Sequence, residues 1–200
     1  GEAHQGIFDL SYLSSIPGMH IMAPKNKWEL SDMMKVAVSL GAPIAVRYPR
    51  GEAYAGLKEY RAPIEMGRAE PIYVESEICL MAVGSMVKTA EKVWEQLKAA
   101  GYRCSLINAR FVKPIDENAV EWAAKNHQVI VSMEENVASG GYGEKVRQKL
   151  DELHTGVRLI QIAIPDEYVE HGNVDLLKKE IGIDAETIVE KIKKEMEALG

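Results

Sequence analysis

Apolar residues at Leu30, Met33, Met34, Val36, Ala37 and Leu40 recur at intervals of three and four, which predicts an amphipathic helix that follows Pro24 and Asn26 and ends at Gly41. The apolar run Pro43 to Val46 comes next. Pro49 biases Tyr48 towards an extended backbone, so residues 43–48 read as a strand that opens into a loop. Between 51 and 71 no period is sustained; Gly51, Gly56, Pro63, Gly67 and Pro71 fall among charged residues, the composition of an interdomain linker. From residue 77 strand-like and helix-like patterns alternate. Ile78 to Val83 predicts a strand ending at Gly84, and Ser85 offers an N-cap to a helix carrying Val87, Ala90, Val93, Trp94, Leu97 and Ala100, closed by Gly101. Further strands are expected over 104–112, 129–133 and 157–164. Helices are expected over 117–125, 143–153, about 173–181 and 185–198, the last capped by Asp184.

Continuous apolar strands separated by helices predict an α/β fold with a mostly parallel, helix-covered sheet. The expected organisation is the terminal strand-helix-strand part of one α/β domain over 1–58, a linker over 59–74 and a second α/β domain over 75–200. No internal repeat interrupts this order.

The chain has 200 residues, enough to bury a full core in one or two domains. Its formal charge of -6, without a Lys/Arg cluster, argues against a nucleic-acid partner, which would be met by a basic face. Charge or glycine interrupts every apolar run before the roughly 18 residues of a membrane span, and no signal-peptide pattern opens the chain; no membrane partner and a cytoplasmic setting are expected. Cys79 and Cys104 each lie in an apolar strand pattern without Cys-x-x-Cys spacing, as buried free thiols do. The mixed charges between Lys178 and Lys194 are those of solvated helix faces.

Candidate chemistry begins at the end of the 43–48 strand, where Arg47 and Arg50 stand three residues apart. A guanidinium is always charged and offers paired donors that match phosphate oxygens. A loop after a strand of an open α/β sheet is where ligands sit. In an acidic chain the same side chains also pair with surface carboxylates, and the local pattern leaves both readings open. His4 lies between Gly1 and Gly6 beside Gln5, a loop in which backbone can approach a ligand; the histidine suits hydroxyl recognition or proton transfer, or is an ordinary surface residue. Gly140-Gly141-Tyr142-Gly143 before a helix could meet an anion, but it lacks the lysine of a phosphate loop and the spacing of a dinucleotide fingerprint, so a tight turn is expected. Glu134 and Glu135 are neighbours on a strand and point to opposite faces, which suits a structural role better than paired acid-base work. His127, His154 and His171 show no metal-ligand spacing, and Trp94 and Trp122 fit core positions.

The segments His4-Gln5-Gly6, Phe8-Asp9-Leu10-Ser11-Tyr12-Leu13, Ile16-Pro17, Met22-Ala23-Pro24 and Val46-Arg47-Tyr48-Pro49-Arg50-Gly51 closely resemble the 1-deoxy-D-xylulose 5-phosphate synthase family of transketolase-like enzymes. The likeness continues through Arg110-Phe111-Val112-Lys113-Pro114-Ile115-Asp116, Glu134-Glu135-Asn136, Gly140-Gly141-Tyr142-Gly143 and Ile164-Pro165-Asp166, over essentially the whole chain. It implies part of a pyrimidine-binding α/β domain followed by a transketolase C-terminal-like domain. The implied activity is a transferase that condenses pyruvate with glyceraldehyde 3-phosphate, with loss of carbon dioxide, to a precursor of isoprenoids, thiamine and pyridoxal. It uses thiamine diphosphate and magnesium. The resemblance carries over His4 as a catalytic and substrate-binding residue at the acceptor's hydroxyl or carbonyl, Arg50 as its phosphate ligand and Arg47 as a neighbour in that site. Ala3 stands where the family has threonine, and the family's aspartate four places before the histidine has no counterpart here. No Gly-Asp-Gly with a following Asn occurs, so the chain is expected to hold neither cofactor nor magnesium by itself and to be inactive alone. The resemblance also implies a homodimer. The alternatives are a transketolase half-subunit or a 2-oxoacid dehydrogenase E1 beta-like chain, which share the same domain architecture, and, in a different class, a non-catalytic dimerisation module.

Overall fold

The computed structural model describes residues 8–48, 53–165 and 174–200. In chain order the elements are α1 (Asp9–Ser14), β1 (His20–Met22), α2 (Lys27–Leu40), β2 (Ile44–Val46), β3 (Glu70–Tyr73), β4 (Glu77–Ala82), α3 (Met86–Ala99), β5 (Cys104–Asn108), β6 (Phe111–Lys113), α4 (Glu117–Asn126), β7 (His127–Val137), α5 (Tyr142–Leu153), β8 (Arg158–Ile164), α6 (Val174–Ile181) and α7 (Ala185–Leu199). They form two sheets, a small one ordered β2-β1-β6 and a larger one ordered β3-β5-β4-β7-β8. In the larger sheet β5, β4, β7 and β8 run parallel, and β3 is an antiparallel edge.

Burial follows the period of two. Ile78, Leu80 and Ala82 of β4 join the core formed with α3 and α7, while Cys79, Met81 and Val83 join the opposite core with α4, α5 and Leu10 of α1. Both faces are covered, which is why these strands read as unbroken apolar runs. The helices start where short polar side chains satisfy free amides: Asn26 accepts from Glu29 N at 2.8 Å, Asp116 from Ala119 N at 2.9 Å and Asp184 from Thr187 N at 3.2 Å. Ser85 does not cap α3; it is already helical, and a turn through Gly84 at φ 54° sets the entry instead. A Cβ on Gly84 would lie 3.0 Å from that of Ala23, so the end of β4 and the end of β1 meet there.

Asp9–Ser14 is a short helix that the sequence pattern did not predict, and two strand regions also differ from it. Glu70–Tyr73, inside the expected linker, is a strand, too short and too interrupted by Pro71 to show a period. The expected strand over 104–112 is two strands, because Arg110 takes a left-handed backbone, φ 58°, and turns the chain out of the larger sheet into the smaller one. β6 thereby completes a sheet whose other strands come from the first 46 residues.

The turn at Arg110 is held by a buried charged network. Lys25, Glu29, Glu70, Asn108 and Arg110 are all buried. Lys25 Nζ lies 3.0 Å from Glu29 Oε2 and 2.8 Å from Glu70 Oε1, and it donates to Tyr60 O at 2.8 Å. Arg110 donates through Nε to Glu29 at 3.0 Å, and through Nη2 to Glu70 at 3.0 Å and to Ala62 O at 2.7 Å; Nη1 reaches Pro63 O at 3.0 Å. Asn108 Nδ2 donates to both carboxylates. Two cations and two carboxylates neutralise one another, so desolvation is tolerable only while every member is present. Arg110→Ala is therefore expected to lower the unfolding free energy by about 3–5 kcal/mol, the range for breaking a buried ion pair from one side. Urea denaturation measures this, and a loss below about 1 kcal/mol, that of an exposed pair, would mean that water already enters the cluster.

Candidate functional site

The C-terminal ends of β1, β2, β4 and β7 converge, and Arg47 is the sequence-predicted site residue found there. Its backbone N–H donates to Met22 O at 2.8 Å, prolonging the β1–β2 ladder by one bond. Its side chain, partly buried, crosses to β7 and donates through Nη2 to Glu135 O. Burial pulls the guanidinium's pKa down, opposed by the nearby carboxylates of Glu135, Asp9 and Glu134. A guanidinium keeps its charge against such a pull. His4 and Arg50 lie outside the described residues.

Three consecutive residues of β7 organise this region. β7 advances four residues from Met133 to Val137 while β8 advances two, from Ile162 to Ile164. The intervening residues bulge and leave the regular ladder, the usual way a strand re-aims side chains at its end. Glu134 is buried, and its two carboxylate oxygens accept from Tyr142 N and Gly143 N, each at 2.8 Å. It thus fills the N-terminus of α5, whose N-cap, Gly141, has no side chain to offer. A Cβ on Gly141 would sit 2.2 Å from Glu134 Oε1, so the glycine turn is shaped around this carboxylate. Glu135 points elsewhere and meets Lys178 Nζ at 3.0 Å, so the two acids diverge as strand alternation requires. Asn136, fully buried, accepts from Leu10 N at 3.1 Å and donates to Ser11 Oγ at 2.9 Å and Val137 O at 2.8 Å.

His127, Cys79 and Cys104 lie elsewhere. His127 stands at the opposite, N-terminal end of β7, between Ser105 Oγ and Ala123 O at 2.8 Å each, and burial lowers its pKa. Cys79 and Cys104 are free and buried, and burial pushes both thiols up, away from the reactive thiolate. Among the described residues no three His, Cys, Asp or Glu side chains gather as a metal ion would need. The α5 N-terminus, the place where a diphosphate could be met by main-chain amides, already holds Glu134, so these residues do not fit that group. Sequence reasoning did not find the work of Asn136; its signal is only a short polar residue interrupting an apolar strand.

Burial pushes the carboxyl of Glu134 up from 4.5 to about 7, while the amides of Gly143 and Tyr142, with Lys145 and Arg47, pull it down. An acid whose folded pKa lies above its unfolded one holds its proton longer in the folded state. Its stabilising contribution is fully present below 4.5 and is lost as the pH rises through about 7. Over that window the unfolding free energy of the wild type should fall relative to Glu134→Gln by on the order of 3 kcal/mol. Denaturation curves of both proteins across the window measure the difference. A constant difference would mean that Glu134 is charged throughout.

Comparison with known proteins agrees with this architecture. The sequence profile of the transketolase pyrimidine binding domain matches residues 1–55, and that of the transketolase C-terminal domain matches residues 67–188. The chain is 48% identical over 96% of its length to a protein named 1-deoxy-D-xylulose-5-phosphate synthase in Lachnoclostridium phytofermentans, and 40% identical over 96% to one of that name in Clostridium acetobutylicum. In each case it spans 31% of the relative. Among solved structures, a chain described as a split gene transketolase, an inactive beta4 tetramer, superposes with a TM-score of 0.88 at 23% identity, over 97% of this chain and 62% of that one. Transketolase from Campylobacter jejuni gives 0.71 at 17% identity, over 97% of this chain and 29% of that one. These two likenesses bear on fold alone. With both domain profiles matched and the fold shared, the chain belongs to the transketolase family, and within it is similar to the C-terminal portion of the 1-deoxy-D-xylulose-5-phosphate synthases.

Proposed function

We propose that this chain is part of a thiamine-diphosphate-dependent transferase that condenses pyruvate with glyceraldehyde 3-phosphate to 1-deoxy-D-xylulose 5-phosphate, with loss of carbon dioxide. The observation that carries the reading is the 48% identity to a relative of that name over 96% of the chain. In this reading residues 1–58 belong to the pyrimidine-binding domain, 59–74 link it to the next, and 75–200 form the transketolase C-terminal-like domain. His4 contacts the acceptor's hydroxyl or carbonyl region and Arg50 binds its phosphate through paired, charge-assisted hydrogen bonds. Arg47 completes the site from the end of β2. Bound thiamine diphosphate, with magnesium, supplies the electron sink for carbon–carbon bond making and breaking. We assign its binding residues to other parts of the enzyme. The chain by itself is then inactive and acts within a cytoplasmic homodimer; among the described residues no helix is long and apolar enough to cross a membrane.

A second reading rests on the superposition with the split gene transketolase chain. Here the chain is a separately encoded subunit that becomes active only with a partner carrying the cofactor-binding domain. The two readings differ in the coding frame that adjoins this sequence, not in the chemistry of the site.

Replacing Arg50 by Ala in the complete enzyme should raise the Michaelis constant for glyceraldehyde 3-phosphate by at least about tenfold, the loss of one charge-assisted contact, and leave that for pyruvate nearly unchanged. An unchanged acceptor constant would remove Arg50 from the phosphate site. Titration calorimetry of the chain alone with thiamine diphosphate and magnesium should give no saturable heat. Binding with a micromolar dissociation constant would place a cofactor site within these residues.

A further inference from the structure

We propose that residues 54–73 are a closed strap and not a hinge: they lock the two domains into one body, and Glu91 of α3 is the latch that holds both ends of the strap together. The segment bridges the two matched profiles, the first of which ends at residue 55 and the second of which begins at 67. Its glycines, prolines and charges are those of a flexible connector, and relative motion is the ordinary expectation for domains joined in that way.

The contacts are of a different kind. Both ends of the strap meet on one carboxylate, since Tyr54 Oη donates to Glu91 Oε1 at 2.8 Å and Tyr73 Oη donates to Glu91 Oε2 at 3.3 Å. Tyr73 also stacks on Trp94 of the same helix, ring centroids 4.0 Å apart, and meets Tyr60, from within the strap, edge to face. Between these ends the main chain is held from both domains. From the first, Asn26 donates to Gly56 O at 3.0 Å and Lys25 to Tyr60 O at 2.8 Å. From the second, Arg110 donates to Ala62 O at 2.7 Å and to Pro63 O at 3.0 Å. Glu70 and Asp116 accept from Ala62 N at 3.0 Å and from Ala69 N at 2.7 Å. Leu57 is buried in the core formed with α3 and α7.

These ties do not release one at a time. Lys25 and Arg110 are buried cations whose donors are shared between strap oxygens and the carboxylates of Glu29 and Glu70, so lifting the strap strips partners from the whole charged cluster. Glu91 is half-buried and sits outside that cluster. By fixing both ends of a loop on one helix it removes the freedom through which a connector acts as a hinge. The contact between Arg47 and Glu135 crosses the same domain boundary, so a fixed strap keeps the end of β2 in register with the bulge of β7. Opening and closing around a ligand must then use other segments of the protein.

Trypsin digestion of the complete protein, with the cut sites identified by mass spectrometry, separates strap from hinge, because Lys58, Arg61 and Arg68 are all exposed within the segment. A hinge would be cut there first, at a rate indifferent to urea. A strap predicts cutting at these sites only through unfolding of the domains, at a rate that climbs with urea as the unfolded population does. Rapid cutting in the absence of urea overturns the proposal. Glu91→Ala should speed cutting at Lys58 and Arg61 by at least about tenfold, the loss of two hydrogen bonds to a carboxylate, while cutting within α4 and α5 stays as in the wild type. Glu91→Gln, which keeps one acceptor, should fall between the two. Equal rates at Lys58 and Arg61 in all three proteins would overturn the latch. Should Glu91→Ala not fold, Tyr54→Phe, which removes one hydroxyl from the same contact, decides by the same comparison.

Discussion

The neutral cluster of Lys25, Glu29, Glu70, Asn108 and Arg110 is the constraint on which the arrangement of the two sheets depends. It joins the start of α2, the edge strand β3 and the turn between β5 and β6, segments far apart in sequence that meet at one point. Apolar packing is non-directional and would tolerate sliding between the sheets. Buried charges do not, because each hydrogen bond has a fixed length and a missing partner exposes its mate to the full cost of desolvation. The left-handed backbone at Arg110 is part of the same solution: it lets Arg110 N reach Asn108 Oδ1 at 3.3 Å while the side chain turns back to Glu29 and Glu70. With that turn made, β6 leaves the large sheet and pairs with β1, and the carboxyl ends of both sheets come to face one another.

The bulge of β7 then uses this meeting place. Each of its three residues satisfies a group on a different element: Glu134 the amides of α5, Glu135 the guanidinium of Arg47, Asn136 the first turn of α1. Regular pairing with β8 would have committed the main-chain groups to the sheet and aimed the side chains squarely to its two faces. Loss of regular pairing over three residues is the structural cost of holding three elements around one strand end.

Much of the architecture was legible in the sequence. The alternating elements from 77 onward and the helix after Asn26 follow from periods of two and 3.6, and those periods report burial directly. What the pattern could not show were features set by a single residue's partners. Arg110 sits inside an apolar run and reads as a strand position, though its backbone breaks the strand. Glu70 looks like a linker carboxylate and is buried. For the site, Arg47 could be singled out by residue type and by its place after a strand. Asn136 could not, since nothing in its local sequence reveals that its partner is an amide 126 residues away. His4 and Arg50 lie outside the described residues, so their roles rest on resemblance.

The surroundings of Arg47 also bear on how the two arginines divide their work. Its guanidinium hydrogen-bonds a main-chain oxygen and lies near three carboxylates, those of Glu135, Asp9 and Glu134. A phosphate brought to Arg47 would compete for a donor already engaged with β7. An arginine placed this way is better suited to bracing the strand end than to binding the ligand. In the proposed function the phosphate goes to Arg50, and Arg47 is then the residue that ties the end of β2 to β7.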